Sequence, residues 1–326
     1  MKKSLLRIFL GLIVGGIFLY FAQRQIELKD VGNLLSTSNV YFVVALCVSL
    51  SVVQLLRSER WLRTFTRVLE LKRCPIYRAF LLGNAANSFL PGRAGDLIRA
   101  TIIKQEHVDI GFGQAVGTVA VEKVADLFVI LLLLLILIVT TPLPDWVKNS
   151  AITGGLLLLS VIPILIVTRW VQLSLLQRAK SKNIIALDTI FHRIGRMLKG
   201  FIEAFYILTH GNGVGWIFML SLLIWSLEII SVFLGCHALG LDISFAAGVL
   251  TVVMLSFGTM LPAAPGFVGT YQWLTVASLG IFGIGETSAF TTGVLLNLAV
   301  ILVNVFTGIA AMLFMHCGQS SQRLPK

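Results

Sequence analysis

Several runs of nearly 20 apolar residues constrain the fold of this chain more than any other feature of its sequence. The most continuous run, LFVILLLLLILIVT, occupies residues 127–140. A helix of about 20 apolar residues matches the ~30 Å hydrocarbon core of a bilayer. Only helices and closed barrels satisfy their backbone groups in lipid, and the short alternating strands of a barrel are not visible in this sequence. The sequence therefore predicts an all-α polytopic membrane protein.

The charged residues are few and mostly basic. They make up 13% of the chain, and the formal net charge is +11. Lys and Arg concentrate in the cytoplasmic loops of membrane proteins, and part of this charge is also suited to anionic lipid head groups. No soluble segment is long enough to carry a nucleic-acid-binding domain, so a nucleic-acid partner is not expected. The four cysteines form no CxxC pair and the five histidines are scattered, so we predict packing cysteines, no metal site and no cofactor.

We predict six full transmembrane helices and two shorter re-entrant helical hairpins. The predicted spans are residues 5–22, 40–56, 113–140, 151–168, 214–239 and 287–315. Basic segments at 57–78 and 169–199 are assigned to the cytoplasm, which places both termini there in a multi-pass protein of the cell (inner) membrane. Residues 150–209 are expected to hold a connecting helix and a cytoplasmic amphipathic segment. The N-terminus resembles a signal peptide, but its apolar core is long and lacks an A-x-A site, so we predict a retained helix.

Each predicted hairpin contains the same break, P-G-x-x-G, at Pro91–Gly95 and at Pro265–Gly269. The first hairpin is predicted to enter from the cytoplasm and the second from outside. The predicted hairpins span 75–104 and 244–283, within halves 1–141 and 213–316 of a single membrane domain, 1–326. Matching breaks in halves of opposite orientation are typical of an inverted-topology repeat. The alternative is two unrelated helix breaks in a glycine-rich membrane protein.

Half-helices that begin at membrane depth point free N–H groups and a partial positive charge into the protein. Two such ends near the midplane form a site for an anionic group, phosphate above all. The predicted substrate-binding residues are Arg93, Arg99, Asn87, Gly92, Gly95, Gly266 and Gly269. The two arginines supply charge-assisted contacts. Asn87 has an alternative role, because its amide is also suited to satisfying backbone groups freed by the break.

Buried carboxylates form a second set of candidates. Glu122 and Asp126 are four residues apart and share one helix face, so each requires a partner in lipid, and we expect Arg93 and Arg99. Lys123 lies about 100° around the same helix and is expected to point away. The predicted gating or proton-coupling residues are Glu122, Asp126, Asp96 and Glu228. The alternatives are a purely structural ion cluster and, for Glu228, a protonated side chain bonded to a backbone carbonyl.

Four blocks of residues follow one another along the chain. They are R-x-x-R-W (Arg57 to Trp61), N-x-x-x-P-G-R-x-G-D-x-x-R (Asn87 to Arg99), E-K-x-x-D (Glu122 to Asp126) and P-x-x-P-G-x-x-G (Pro262 to Gly269). Together they resemble the lysylphosphatidylglycerol synthase transmembrane region, or flippase-like, family over nearly the whole chain. The resemblance implies movement of an anionic, glycosylated or isoprenoid-linked lipid. We expect Arg57, Arg60 and Trp61 to contact lipid head groups at the cytoplasmic side.

The resemblance has limits. Bifunctional members of the family carry a soluble aminoacyl-transfer domain, but the last predicted helix ends near residue 315 of 326, so we expect that domain to be absent. Lys123 stands where the family pattern has arginine. Tyr271 and Gln272 stand where many members carry a glutamate, which puts any coupling role of that acid in doubt here.

The sequence favours a lipid flippase or transporter rather than an enzyme, because no nucleophile–base pair stands out and no Walker A loop suggests direct use of ATP. The alternatives are an intramembrane lipid-modifying enzyme that uses Glu122, Asp126 and Arg93, and a non-catalytic partner of a lipid-synthesis enzyme. The expected partners are membrane lipids, either an anionic phospholipid or a polyprenyl-linked lipid. A homodimer is a further candidate, since GLIVG at residues 11–15 is a helix-packing motif.

Overall fold

The structure is a computed structural model that describes residues 27–65, 71–90, 93–107, 110–145, 213–259 and 264–315, with single positions near 16–20 and 147–156. Within these residues the chain is all-helical. The helices are α1 Leu28–Ser36, α2 Val40–Arg63, α3 Arg73–Asn87, α4 Ala94–Glu106, α5 Phe112–Thr140, α6 Val214–Ala238, α7 Phe245–Gly258, α8 Thr270–Gly280 and α9 Glu286–Phe314. Four of the described helices, α2, α5, α6 and α9, are long and apolar enough to cross a membrane.

Four of the six predicted spans therefore have a counterpart among the described residues. The spans predicted at 5–22 and 151–168, with the amphipathic segment after the latter, fall largely outside these residues. Helix α2 continues to Arg63, seven residues beyond its predicted end, because its last turns are covered by other helices and are not a cytoplasmic loop. Helix α1 was not predicted. Its Val31 packs beside Phe290 of α9.

Two pairs of short helices lie between the long ones. Helices α3 and α4 have 15 and 13 residues, and α7 and α8 have 14 and 11. At ~1.5 Å per residue each is shorter than the ~30 Å core of a bilayer. Asn87 Oδ1 at the end of α3 accepts from the Gly95 amide at the start of α4, and Arg78, early in α3, pairs with Glu106 at the end of α4, so this pair is antiparallel. The Thr251–Ser278 hydroxyl contact, 2.9 Å, joins α7 to α8.

The long described helices repeat along the chain at one spacing. Helix α6 begins 174 residues after α2, at Val214 compared with Val40, and α9 begins 174 residues after α5. The corresponding helices α2 and α6 run antiparallel. Ser231 donates to Ser49 at 3.0 Å, and further along α2 Arg60 donates to Ser221 at 2.8 Å. The two halves thus have the same order of helices and opposite direction where they meet.

The interior of the bundle is an apolar cluster shared by the long helices and α7, with fully buried residues such as Leu46, Cys236 and Leu250. Large apolar side chains also cover the outer surface, where Val139 and Phe314 are 77% and 80% exposed. Such a surface suits contact with lipid. Cys74 is disulfide-bonded, which corrects the expectation that all four cysteines are packing residues.

Gly95 marks the closest approach between α3 and α4, and replacing it with alanine is expected to destabilise the protein by about 1–3 kcal/mol through overpacking. A Cβ at this position would lie 1.9 Å from Gly83 O and 2.6 Å from Asn87 Oδ1. Gly215→Ala is the matched control, because a Cβ there has nothing within 4 Å. Thermal unfolding of the two purified variants in one detergent compares them. Equal midpoints would contradict the close helix contact.

Candidate anion-binding cleft

Each P-G-x-x-G break contacts the end of a short helix in the other half of the chain. Arg93, in the first break, donates from Nε to Thr259 O at 3.1 Å and from Nη2 to Thr259 Oγ1 at 2.8 Å. Thr259 is the residue that ends α7. In the reverse direction, Gly266 of the second break lies against Ser88 at the end of α3, where an added Cβ would come 3.4 Å from Ser88 O. The ends of all four short helices therefore meet in one place.

The two breaks share one backbone feature among their described residues. The residue after each Pro-Gly is left-handed, with φ 53° at Arg93 and 59° at Phe267, and in the described part of the chain no other non-glycine residue has a positive φ. This conformation costs roughly 1–2 kcal/mol for an L-residue. The amide of the second glycine is bonded in both breaks, from Gly95 to Asn87 Oδ1 at 2.8 Å and from Gly269 to Gln272 Oε1 at 2.7 Å. These two N–H groups are thus engaged within the protein.

A cleft with about 1410 Å³ of atom-free space, including its open mouth, lies beside the breaks. It is lined by residues of α2 to α7 and α9 together with the breaks themselves and Tyr271 of α8. Its charged lining residues within the described chain are the cations Arg57, Arg60, Arg93, Arg99 and Lys123 and the acids Asp96, Glu122, Asp126 and Glu228. The cleft therefore gathers every described gating candidate and both predicted arginines.

Arg60 and Asp126 form a buried, bidentate ion pair in the cleft. Arg60 Nη1 and Nη2 lie 2.6 and 3.2 Å from the two oxygens of Asp126. Asp126 also accepts from Trp225 Nε1 at 3.1 Å, and Glu122 lies 3.7 Å from Arg60. Arg60 is only 2% exposed. Such a bidentate arrangement compensates two charges that would otherwise be strongly unfavourable at this depth.

Arg99 is held by charges and by aromatic rings. Its guanidinium lies 2.8 Å from Glu122 and 3.2 Å from Asp96. The rings of Trp61 and Phe80 lie 4.7 and 4.9 Å from its guanidinium carbon. Cation–π contacts of this kind fix a guanidinium without using its N–H donors. The aromatic pair therefore holds Arg99 at the cleft while leaving hydrogen-bonding capacity on it.

Several buried polar atoms of this network have no hydrogen-bond partner among the described residues. They include Arg60 Nε, Arg99 Nε, Arg99 Nη1 and Glu122 Oε1. The close contact of Arg99 Nη1 with Glu122 is thus electrostatic and not an aligned hydrogen bond. Arg93 differs again, because within the described chain it is the cleft cation with no carboxylate oxygen within 4 Å. Unfilled donors beside a cavity are suited to an anionic ligand.

The structure corrects two expectations about these residues, the partner of Asp126 and the direction of Lys123. Asp126 pairs with Arg60 and not with Arg93, whereas the expected pair of Glu122 with Arg99 is present. Arg60 and Trp61 are 2% and 0% exposed, so both lie in the interior of the bundle, and their expected contact with lipid head groups stays a prediction.

Glu228 pairs with Arg57 at 2.7 Å, a partner that the sequence analysis did not name. Lys123 does not point away, because it lines the cleft 3.8 Å from Asp96. Gly92 lies outside the described residues. Asn87 bonds the Gly95 amide, as its alternative role requires.

A group of amides at the cleft was missed by sequence reasoning. Asn84 donates to Gln54 at 2.6 Å, Gln54 donates to Asn304, and Asn304 donates to Ser88 at 3.2 Å. The available signal was the occurrence of single amides within otherwise apolar helices. No three His, Cys, Asp or Glu side chains in the described ranges are grouped to hold a metal ion.

Comparison with known proteins gives a family. Residues 8–308 match the lysylphosphatidylglycerol synthase transmembrane region. A UPF0104 membrane protein of Methanothermobacter thermautotrophicus is 28% identical over 107 residues, 33% of this chain and 31% of that protein. Glycosyltransferase AglD of Haloferax volcanii is 22% identical over 339 aligned positions, covering 94% of this chain and 54% of that protein. The chain thus spans about a third and about half of these two relatives.

No solved structure matches the chain. The family match covers nearly all of the sequence, including every described residue that lines the cleft. The four sequence blocks that suggested the relationship lie within it. The chain belongs to the lysylphosphatidylglycerol synthase transmembrane region family.

Proposed function

We propose that this membrane protein moves an anionic lipid between leaflets and binds the phosphate of the head group in the cleft, beside Arg93. The observation that supports this most directly is the charge balance of the cleft, where the described lining carries five cations and four carboxylates. The unmatched cation is Arg93. Arg93 is partly buried, and a surplus cation in the interior of a membrane protein is unfavourable unless an anion completes the site.

The arrangement of the helices supports transport. Antiparallel short pairs that meet at their breaks, within halves of opposite direction, are the geometry of transporters that expose one central site to each side alternately. We propose that α3–α4 and α7–α8 are re-entrant hairpins from the cytoplasm and from outside. Both termini would then be cytoplasmic, in the cell membrane.

The gate is proposed to be the ion network itself. Asp96, Glu122 and Asp126 hold Arg99 and Arg60, which lie on different helices, and Glu228 holds Arg57. An arriving phosphate competes with the carboxylates for these arginines and so loosens contacts between helices. The phosphate can first bind the N–H donors of Arg99 that have no hydrogen-bond partner among the described residues. The relative named a glycosyltransferase keeps a glycosylated lipid among the candidate cargoes, beside phosphatidylglycerol-like and polyprenyl-linked lipids.

The proposal is tested with purified protein in liposomes that contain labelled phosphatidylglycerol or labelled phosphatidylcholine. We expect movement between leaflets to exceed that of protein-free liposomes, and phosphatidylglycerol to move faster because the cleft favours a net negative head group. Mass spectrometry of the recovered lipids distinguishes the alternatives. A chemically altered lipid would support an intramembrane enzyme, and the absence of both movement and alteration would support a non-catalytic partner.

A further inference from the structure

The internal repeat relates the charged wall of the cleft to an apolar wall. The residues that follow Arg93, Glu122 and Asp126 by 174 positions are Phe267, Leu296 and Val300. All six residues line the cleft. Three charged side chains of the first half thus correspond to three apolar side chains of the second half, at equivalent places on equivalent helices and breaks.

Further apolar residues extend the second wall. Val252 and Leu255 of α7 and Val303 of α9 also line the cleft. In the described chain, no charged residue of α7, α8 or α9 lines it. Corresponding helices of the two halves form the two walls. The walls therefore differ in the chemistry of their side chains, charged in one and apolar in the other, and not in the arrangement of their helices.

We infer that the apolar wall is a binding subsite for the first segment of the lipid chain, so that the cleft holds this segment together with the phosphate. The inference rests on the proposed function and adds to it, because a head-group site alone would leave the chain in the bilayer. A soluble anion needs only the charged wall and leaves water against Phe267, Leu296 and Val300. An amphipathic anion fills both walls, and each buried CH₂ contributes about 0.8 kcal/mol.

The test compares two competitors with the same phosphate. Glycerol 3-phosphate has no chain, and dihexanoyl phosphatidate carries two short chains. Each is added to liposomes in which the protein moves labelled phosphatidylglycerol. We expect dihexanoyl phosphatidate to halve the movement at a concentration at least about tenfold lower, since two buried methylenes already account for that factor.

Variants show whether the greater potency of dihexanoyl phosphatidate comes from binding at the apolar wall or from its partitioning into the bilayer. Val300 is half-buried at the cleft, and Val300→Asn should remove most of the tenfold advantage while leaving inhibition by glycerol 3-phosphate unchanged. Val139→Asn is the matched control, because Val139 is 77% exposed on the outer surface. If Val300→Asn fails to fold, the isosteric Val300→Thr tests the same wall with a smaller expected loss.

The possible outcomes test the chain subsite and the proposed lipid transport separately. Equal potency of the two competitors in the unmodified protein, or equal loss in Val139→Asn and Val300→Asn, would overturn the chain subsite while lipid movement still supports transport. Movement that neither competitor inhibits would overturn the phosphate site as well. The absence of movement in the unmodified protein would overturn the proposed function itself.

Discussion

Asp126→Asn is expected to lower the free energy of unfolding by about 3 kcal/mol, because it leaves a buried charge without its main partner. Arg60 is 2% exposed and both of its terminal nitrogens bind the Asp126 carboxylate. The remaining acid, Glu122, lies 3.7 Å away and is shared with Arg99, so it compensates only in part. The substitution keeps the volume of the side chain, so the change reports the charge and not a cavity. Unfolding followed by intrinsic fluorescence in detergent measures it.

Asp145→Asn is the matched control, since Asp145 is exposed and a surface substitution of this kind changes stability by less than about 0.5 kcal/mol. The double variant Arg60→Met with Asp126→Leu removes both charges and should recover most of the lost stability. If Asp126→Asn unfolds like the unmodified protein, the ion pair contributes nothing to the fold and the geometry described above is contradicted.

The double variant also decides between the two readings of the buried charges. A structural ion cluster predicts that a stable apolar replacement still moves lipid. If the ion network is a gate, the double variant should be stable but should not move lipid, because Arg60 is no longer present to exchange Asp126 for a phosphate. Stability and lipid movement measured on one preparation therefore distinguish a structural role of the Arg60–Asp126 pair from a gating role.

The long helices were predictable because their signal is local. Helices α5 and α9 begin and end within one residue of their predicted bounds, since each contains a long apolar run and begins directly after a glycine. The pairing of Arg99 with Glu122 was also predictable, because a charge in lipid requires a counter-charge and the neighbouring apolar segments contain few charged residues.

The role of Arg60 could not be predicted in the same way. A dense basic segment is typical of a cytoplasmic loop, and only the packing of α5 and α6 against the end of α2 shows that its last turns are interior. The expected direction of Lys123 failed for a related reason. The angle around α5 was right, but the cleft wraps around that helix far enough to include Asp96 of α4 beside Lys123. Both errors come from tertiary contacts between segments distant in sequence.

Arg93→Gln is expected to weaken lipid movement by about 10- to 100-fold at low substrate concentration, since a hydrogen bond to a charged group contributes about 1.5–3 kcal/mol. The change removes the cleft cation that has no carboxylate within 4 Å among the described residues, and with it the proposed phosphate contact. Arg93→Lys should move lipid at a rate between those of the unmodified protein and Arg93→Gln, because an ammonium keeps the charge but lacks the planar, bidentate geometry of a guanidinium. Arg73→Gln is the control, because that arginine is 70% exposed.

Arg93 also joins the first break to the end of α7, so a loss of movement alone would not prove a phosphate contact. Thr259→Val removes the 2.8 Å bond from Arg93 to the threonine hydroxyl and keeps both the charge and the backbone carbonyl acceptor. If Arg93 acts by binding phosphate, Thr259→Val moves lipid at close to the unmodified rate. If Arg93 acts only as a link between the first break and α7, Thr259→Val and Arg93→Gln lose movement together, and the phosphate must bind at Arg99, whose unpartnered N–H groups face the same cleft.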